Sequence, residues 1–266
     1  MLLPNKIHPR EMRAKIRSGE WQGPTAGCCD GYAQANLVVL PKALAYDFLV
    51  FCHRNPKPCP LLEVTDPGDV EPRMTAPGAD LRTDLPRYRV YRGGELEQEV
   101  TDVLGVWREN LVGFLLGCSF TFDVALQRAG IPVRYLQEGR NVSMYITNRL
   151  CRPAGVFAGP LVVSMRPIPA SLVPRAVEVS ARFHLAHGAP VHVADPQAIG
   201  ISDLSRPDFG DPVSIHAGEQ PLFWACGVTP QAVAMHAKPE LMITHAPGHM
   251  FITDLATEDG NGESDR

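Results

Sequence analysis

The sequence predicts an α/β fold: a mixed sheet in a layered α/β body, with a smaller two-layer α+β subdomain inserted. Three observations lead there. The chain has 266 residues, 45% of them hydrophobic, which is enough to fill more than one core layer. Its apolar runs have strand length, and segments with helical spacing stand between them. One pattern also occurs twice. At 112–130 (VGFLLGCSFTFDVALQRAG) and at 221–237 (PLFWACGVTPQAVAMHA) an apolar strand turns at a cysteine beside a glycine and enters a helix. Internal duplication and the shared strand–turn–helix grammar of α/β proteins both account for this. The body is expected at 1–130 and 213–266, and the subdomain at 131–212.

In chain order, a first helix is expected at 9–18. Pro9 suits its first turn, Met12 and Ile16 share a face, and Gly19 stops it. Residues 36–40 read as a buried strand. Pro41 then opens a helix with Leu44, Phe48, Phe51 and Cys52 on one stripe, ended by Asn55 and Pro56. Residues 88–91 and 96–100 flank Gly93 and Gly94, a hairpin signature. Thr101 can cap a helix through Leu104, Trp107 and Leu111. Beyond the first strand–turn–helix unit, 132–136, 142–147, 161–166 and 190–193 read as strands and 171–182 as a helix. Residues 241–255 read as two short strands around a turn at Pro247 and Gly248, and the polar tail at 257–266 as frayed.

Composition excludes several functions. With 25 Lys and Arg against 29 Asp and Glu, the net charge is −4, whereas a nucleic-acid or membrane-surface binder carries a basic face. No apolar run reaches membrane-spanning length. The basic start, MLLPNKIHPREMRAKIRSGEW, lacks an apolar signal core and is read as mature protein. Seven cysteines without a CxxC pair form neither a disulfide framework nor a zinc-finger spacing, so a reducing cytoplasm fits. The 25 prolines and 23 glycines are dispersed, which means many tight turns. No GxGxxG, P-loop or GxSxG pattern occurs, so no cofactor is expected.

Four motifs can carry chemistry. The stretch 76–92, APGADLRTDLPRYRVYR, sets Asp80, Arg82, Asp84 and Arg87 among Pro77, Gly78 and Pro86, which exclude a continuous helix. Such a loop either closes on itself through salt bridges or presents charge to a polar ligand. The two strand–turn–helix units place Cys118, Ser119, Cys226 and Thr229 at helix N-termini, where free N–H groups favour anions. Plain capping by Thr121 and Thr229 is the simpler account of each unit alone. Two units in one fold point to a ligand with two anionic groups. A thiol at a helix N-terminus can be a nucleophile, while cysteines in apolar strands are commonly inert. Arg140 and Asn141 after Gly139, and Arg166 in VVSMRP, are donors at strand ends, suited to clamping a carboxylate or pairing with a local acid. Histidines gather late, at His184, His187, His192, His245 and His249, with Asp195, Asp208, Asp211 and Asp254 as conceivable metal partners; the Pro and Gly between them exclude a helical metal face, and no metal is expected. General acid–base use of one histidine is the better reading.

The stretches WQGPTAGCCDGYAQANLVVLP, APGADLRTDLPRYRVYR, GFLLGCSFTF, AGIPVRYLQEGRNVSMY, GPLVVSMRP, WACGVTPQ and ITHAPGHMFITD together resemble the D-glutamate cyclase family, also described as hydro-lyases. The likeness runs over 9–255. It implies an α/β fold of two subdomains and loss of water from D-glutamate to give 5-oxo-D-proline, and it assigns no catalytic residues. Lactam closure within one molecule gains from orientation and needs no ATP. It does need a base for the ammonium proton and donors for a tetrahedral oxyanion. The site is expected between the subdomains, with Asp80, Asp84, His245 and Cys118 as catalytic candidates. Arg82, Ser119, Arg140, Asn141, Arg166, Cys226 and Thr229 are the candidates for binding a small dicarboxylic amino acid. In this arrangement Arg82 clamps a carboxylate, Asp80 or Asp84 orients the amine, and His245 is the base. Both helix N-termini open at one sheet edge if their strands are parallel neighbours. A small-acid binding protein, and a cysteine- or metal-dependent hydrolase of a related lactam or amide, are the alternatives. Nucleic-acid and membrane partners are not expected, and self-association is left open.

Overall fold

In the computed structural model, residues 4–257 are described, so nearly all of the tail expected to fray lies outside them. Helix α1 (Pro9–Arg17) starts as its proline dictates, with the His8 ring accepting from Arg10 N–H, and buries Met12 and Ile16. Strand β1 (Tyr32–Pro41) is buried from Gln34 to Leu40 because it has neighbours on both sides. Helix α2 (Lys42–Arg54) follows Pro41 and lays Phe48, Phe51 and Cys52 on the sheet. Strand β2 (Leu61–Val64) has no counterpart among the expected elements; four residues are too few to show a period. Strands β3 (Tyr88–Arg92) and β4 (Glu95–Val100) form the expected hairpin, in which Gly93 and Gly94 both take positive φ, 58° and 85°.

The helix expected from Thr101 to Leu111 is absent. Asp102 Oδ1 accepts from Leu104 N–H in a local turn, and Leu111 is the first residue of β5 (Leu111–Gly117), which is buried throughout. Burying that run between two strands outweighs the weak helical spacing before it. Helix α3 (Phe120–Arg128) follows. Residues 132–136, expected as a strand, contain the short helix α4 (Arg134–Gln137) instead. Then come β6 (Ser143–Leu150), β7 (Pro160–Pro169), α5 (Val173–Ala181), β8 (His192–Val193), β9 (Glu219–Ala225), α6 (Thr229–Ala237), β10 (Met242–His245) and β11 (Phe251–Ala256).

Two sheets result, and the α/β class stands. The first has seven strands in the order β2-β5-β1-β10-β3-β4, with β11 also on β1; the second has the order β6-β7-β9-β8. Every described pairing is antiparallel, where a mixed sheet was expected. The second sheet also takes β9, so it reaches beyond the boundary expected at 212. Helix α3 leaves the seven-stranded sheet and packs on the four-stranded one, where Phe122, Ala125 and Leu126 meet Val162, Leu222 and Trp224. Helix α6 leaves the four-stranded sheet and returns Val233 to the cluster of Val38, Leu40 and Phe48. Each sheet therefore lends a helix to the other's core. Each fully buried large apolar side chain in these cores contributes roughly 1.5–3 kcal/mol.

Candidate active site

The two sheets meet at a pair of glycines. A Cβ on Gly117 would lie 1.6 Å from the Leu185 carbonyl oxygen and 3.4 Å from Ala186 Cα, so the 185–186 peptide fits there only because residue 117 has no side chain. The Gly117 carbonyl accepts from Asn36 Nδ2 at 2.7 Å. Asn36 also lies against Gly227, whose Cβ would fall 2.0 Å from the same nitrogen. By strand alternation Asn36 shares a face of β1 with Val38 and Leu40. One buried amide and two glycines thus hold the ends of β5 and β9 together.

Cys118 and Cys226 stand beside these glycines in one buried cluster, although their strands belong to different sheets and are not parallel neighbours. The Phe120 N–H faces the Cys118 sulfur and the Val228 N–H faces that of Cys226. Burial nevertheless pushes Cys118 up to about 12 and Cys226 to about 11. Burial thus favours the neutral thiol in both, against the lowered pKa expected of Cys118 as a nucleophile at a helix N-terminus.

Arg166, on β7, is fully buried beneath α3. Its Nε and Nη2 donate to the two carboxylate oxygens of Asp123 at 2.7 and 2.9 Å. Nη1 donates to Ser164 Oγ and Nη2 to Ser119 Oγ, each at 3.1 Å, and the Tyr135 hydroxyl donates to Asp123. The rings of Phe122, Trp224 and Tyr135 enclose the guanidinium at 5.0, 5.4 and 5.7 Å. Burial disfavours this charge, but Asp123 outweighs it and holds the guanidinium above its ordinary pKa. The fork expected to clamp a substrate carboxylate is closed on Asp123. Arg166 instead orients Ser119, whose oxygen accepts from it and whose proton is left to donate.

His187 follows the peptide seated on Gly117. Its Nδ1 meets the Lys57 carbonyl at 2.6 Å; a carbonyl only accepts, so Nδ1 carries the proton and Nε2 is a lone pair. Nε2 is buried with no hydrogen-bond partner. Burial lowers the imidazole to about 4; the Lys57 carbonyl opposes this and the Arg166 charge adds to it. A cavity of about 210 Å³ adjoins the junction, lined in part by Ala33, Thr121 and the 183–186 segment.

Other expected site residues lie elsewhere. Around the Asp–Arg loop, Ala79, Leu81 and Leu85 pack with Ala35, Leu37 and Val39, the face of β1 opposite Asn36. Arg82 closes on Asp80 with Nη2 to Oδ2 at 2.8 Å. Half-burial pushes Asp80 up, and the hydrogen bonds and charge of Arg82 overcome this and bring it below its usual value. Asp84 is fully buried and takes both Arg17 (2.7 and 2.6 Å) and the Asp80 N–H (3.0 Å). Arg82, expected to clamp a substrate carboxylate, is thus paired with Asp80, and Asp84, expected with Asp80 to orient the amine, is held by Arg17 of α1.

His245 ends β10, where the chain leaves the sheet for the turn before β11. Its Nδ1 sits 3.2 Å from the nitrogen and 3.4 Å from the oxygen of Leu37, where a ladder partner would stand. Burial lowers it to about 4. The ring completes the sheet, so the Nδ1 of the residue expected as the base is engaged by the Leu37 peptide. Arg140 is on the surface with Glu138 and the Pro212 carbonyl, and Asn141 binds the 211 and 142 segments. The Thr229 hydroxyl donates to the Cys226 carbonyl and accepts from Val162 N–H, so it ties α6 to β7 and its one proton is already committed. Among the described residues no three His, Cys, Asp or Glu side chains converge as a metal-binding group, and no helix is long and apolar enough to cross a membrane.

Sequence reasoning therefore found Ser119, Arg166 and both cysteines but missed Asn36, Asp123, Tyr135 and His187 as members of the cluster. A signal existed for two of them: Asn36 interrupts the apolar run ANLVVL and Asp123 the apolar run FTFDVAL. A buried polar residue in such a run needs a partner. His187 and His245 have a common consequence. Both are held near 4 when folded and rise to about 6.5 when unfolded. The unfolded chain therefore takes up protons that the folded chain refuses, and stability is full above about pH 6.5 and falls toward pH 4. Each histidine contributes at most about 3 kcal/mol. Urea midpoints measured between pH 7 and 4 should drop steadily, and His245→Asn should flatten that slope.

The likeness to known proteins extends over nearly the whole chain. A protein named "Putative hydro-lyase" from Stutzerimonas stutzeri is 63% identical over 252 residues, 95% of each chain. Relatives of the same name from Geobacillus kaustophilus (66% identical, 94% of this chain and 95% of the relative) and Bacillus subtilis (60%, 94% and 97%) match equally fully. The class they define, on an α/β scaffold with a buried polar junction, is that of a carbon–oxygen lyase. The D-glutamate cyclase profile matches residues 112–254, the stretch that carries Cys118, Asp123, Arg166, His187 and Cys226. The chain belongs to the D-glutamate cyclase family.

Proposed function

We propose that this enzyme removes water from D-glutamate to give 5-oxo-D-proline, without ATP, at the junction of the two sheets. The amine nitrogen bonds to the side-chain carboxyl carbon, and one oxygen of that carboxylate leaves. Two of the three ammonium protons depart with it as water, so the reaction balances with no net proton and no co-reactant. The protein must hold the two carboxylates, move two protons from nitrogen to oxygen, and steady the oxyanion between.

The observation that carries this reading is the convergence of two helix N-termini, from two different sheets, on one buried cluster within the family-matched segment. Each brings the positive end of a helix dipole to the cluster, which favours an anion there. Ser119 adds an oriented hydroxyl. Incubating the pure protein with D-glutamate, L-glutamate and 5-oxo-D-proline, with chiral chromatography in both directions, tests it. D-glutamate should convert without ATP, faster than its L isomer. Saturable binding without conversion in either direction would mean a small-acid binding protein instead.

A further inference from the structure

We infer that His187 is the proton-transferring residue of this site, with Nε2 as the atom that receives the substrate's ammonium proton and returns it to the departing oxygen. The inference rests on the site and reaction proposed above and names the group that the reaction requires.

Three independent features of the molecule converge on this ring. The first is an unmet lone pair. Nδ1 donates to the Lys57 carbonyl, which fixes the tautomer, and Nε2 is enclosed by protein with nothing to bond. Leaving a buried acceptor unpaired costs stability, commonly about 1–3 kcal/mol, so a native structure that keeps one invites a reason. The second is the backbone. His187 has φ 78°, the left-handed region that non-glycine residues seldom occupy. Sustained strain of this kind gathers at functional positions. The third is placement. The peptide immediately before His187 rests on Gly117, at the end of the strand that leads into Cys118 and Ser119. The charges that bear on the ring are those of Arg166, from the cluster, and Lys57, from the α2–β2 connection.

The chemistry fits. A neutral imidazole in a closed site can take a proton only when an acid is brought to it. A buried ammonium beside Nε2 is such an acid, since burial favours its neutral form as well. The Lys57 carbonyl stabilises the imidazolium as it forms, and Ser119 stands ready to donate at the oxyanion. Two protons pass in succession from nitrogen through Nε2 to the departing oxygen, which leaves as water, so His187 ends each turnover as it began. Among the described residues, the other titratable candidates for this role are engaged or held neutral. Both thiols are held protonated by burial, Asp123 is saturated by Arg166 and Tyr135, and His245 is part of the sheet.

His187→Asn is the variant of choice. Asparagine tolerates the left-handed backbone, and its amide can still donate to the Lys57 carbonyl, while the Nε2 lone pair is lost. The variant should fold with a Tm close to that of the parent. Its kcat on D-glutamate should fall about 10²–10⁴-fold with KM changed only a few-fold. The acid limb that the parent shows in kcat/KM should vanish from its pH profile. If the parent converts D-glutamate and the folded variant does so at a comparable rate, with the acid limb retained, the role is overturned while the reaction stands. If the parent converts nothing, the proposed reaction fails, and ¹⁵N-histidine NMR of the full chain decides the site separately. The Nε2 resonance, assigned by its loss in His187→Asn or, if that misfolds, in His187→Gln, should shift on addition of glutarate. An unmoved resonance overturns the assignment.

Discussion

Replacing Asp123 by alanine is expected to cost about 3–5 kcal/mol. Arg166 is fully buried and depends on Asp123 for two of its hydrogen bonds. Removing the carboxylate strands a guanidinium among Phe122, Tyr135 and Trp224, and it also leaves the Tyr135 hydroxyl without its acceptor. The ring faces recover only part of that loss, since each cation–π contact contributes about 0.5–2 kcal/mol. The penalty arises from the unpaired charge rather than from any large intrinsic strength of the pair. The double variant Asp123→Leu, Arg166→Met should therefore be more stable than Asp123→Ala alone. Urea unfolding of the three proteins measures this. A loss below about 1 kcal/mol in Asp123→Ala would show that water reaches Arg166 and that the cluster is not closed.

Gly117→Ala should harm stability and activity together. The added methyl would fall 1.6 Å from the Leu185 oxygen and 2.8 Å from its carbonyl carbon, both backbone atoms that cannot rotate away. The 185–187 segment must move, at a cost of about 1–3 kcal/mol or more. Because that segment seats His187, a displacement near 1 Å should also lower kcat by roughly 10²-fold. Gly105→Ala is the control, since nothing lies within 4 Å of its Cβ position. Urea midpoints and D-glutamate turnover of the two variants make the comparison. Equal behaviour would mean that the 185–186 peptide does not rest on β5 in solution.

Much of the fold was legible because it is written in local chemistry. Pro9 begins α1, Gly93 and Gly94 make the β3–β4 turn, and both strand–turn–helix units appear where apolar runs meet cysteine and glycine. The failures share a cause. The helix expected at 101–111 rested on spacing alone and lost its last residue to a strand that is buried on both sides. The four residues of β2 were too short to register. The conspicuous charges of Asp80, Arg82 and Asp84 drew attention because they are close in sequence; that closeness lets Asp80 and Arg82 satisfy each other, while Asp84 is held by Arg17 of α1. The working charge pair, Arg166 with Asp123, spans 43 residues and looks in sequence like two isolated polar interruptions.

The sequence by itself determined the family, the α/β class, the order of most elements and the position of two cysteines at two helix N-termini. These follow from composition, period and turn chemistry, which act between residues near one another in the chain. Only the tertiary structure decided which sheet each helix covers, that β9 joins β7, and that the two cysteine turns meet. It alone set the loop of Asp80 on the opposite face of β1 from Asn36, placed His245 in the sheet, and left the Nε2 of His187 buried without a partner. The reason is physical: alternation and amphipathicity state that a face is buried, whereas its partner is chosen by packing between segments far apart in the chain, and the protonation and reactivity of a side chain follow from that partner.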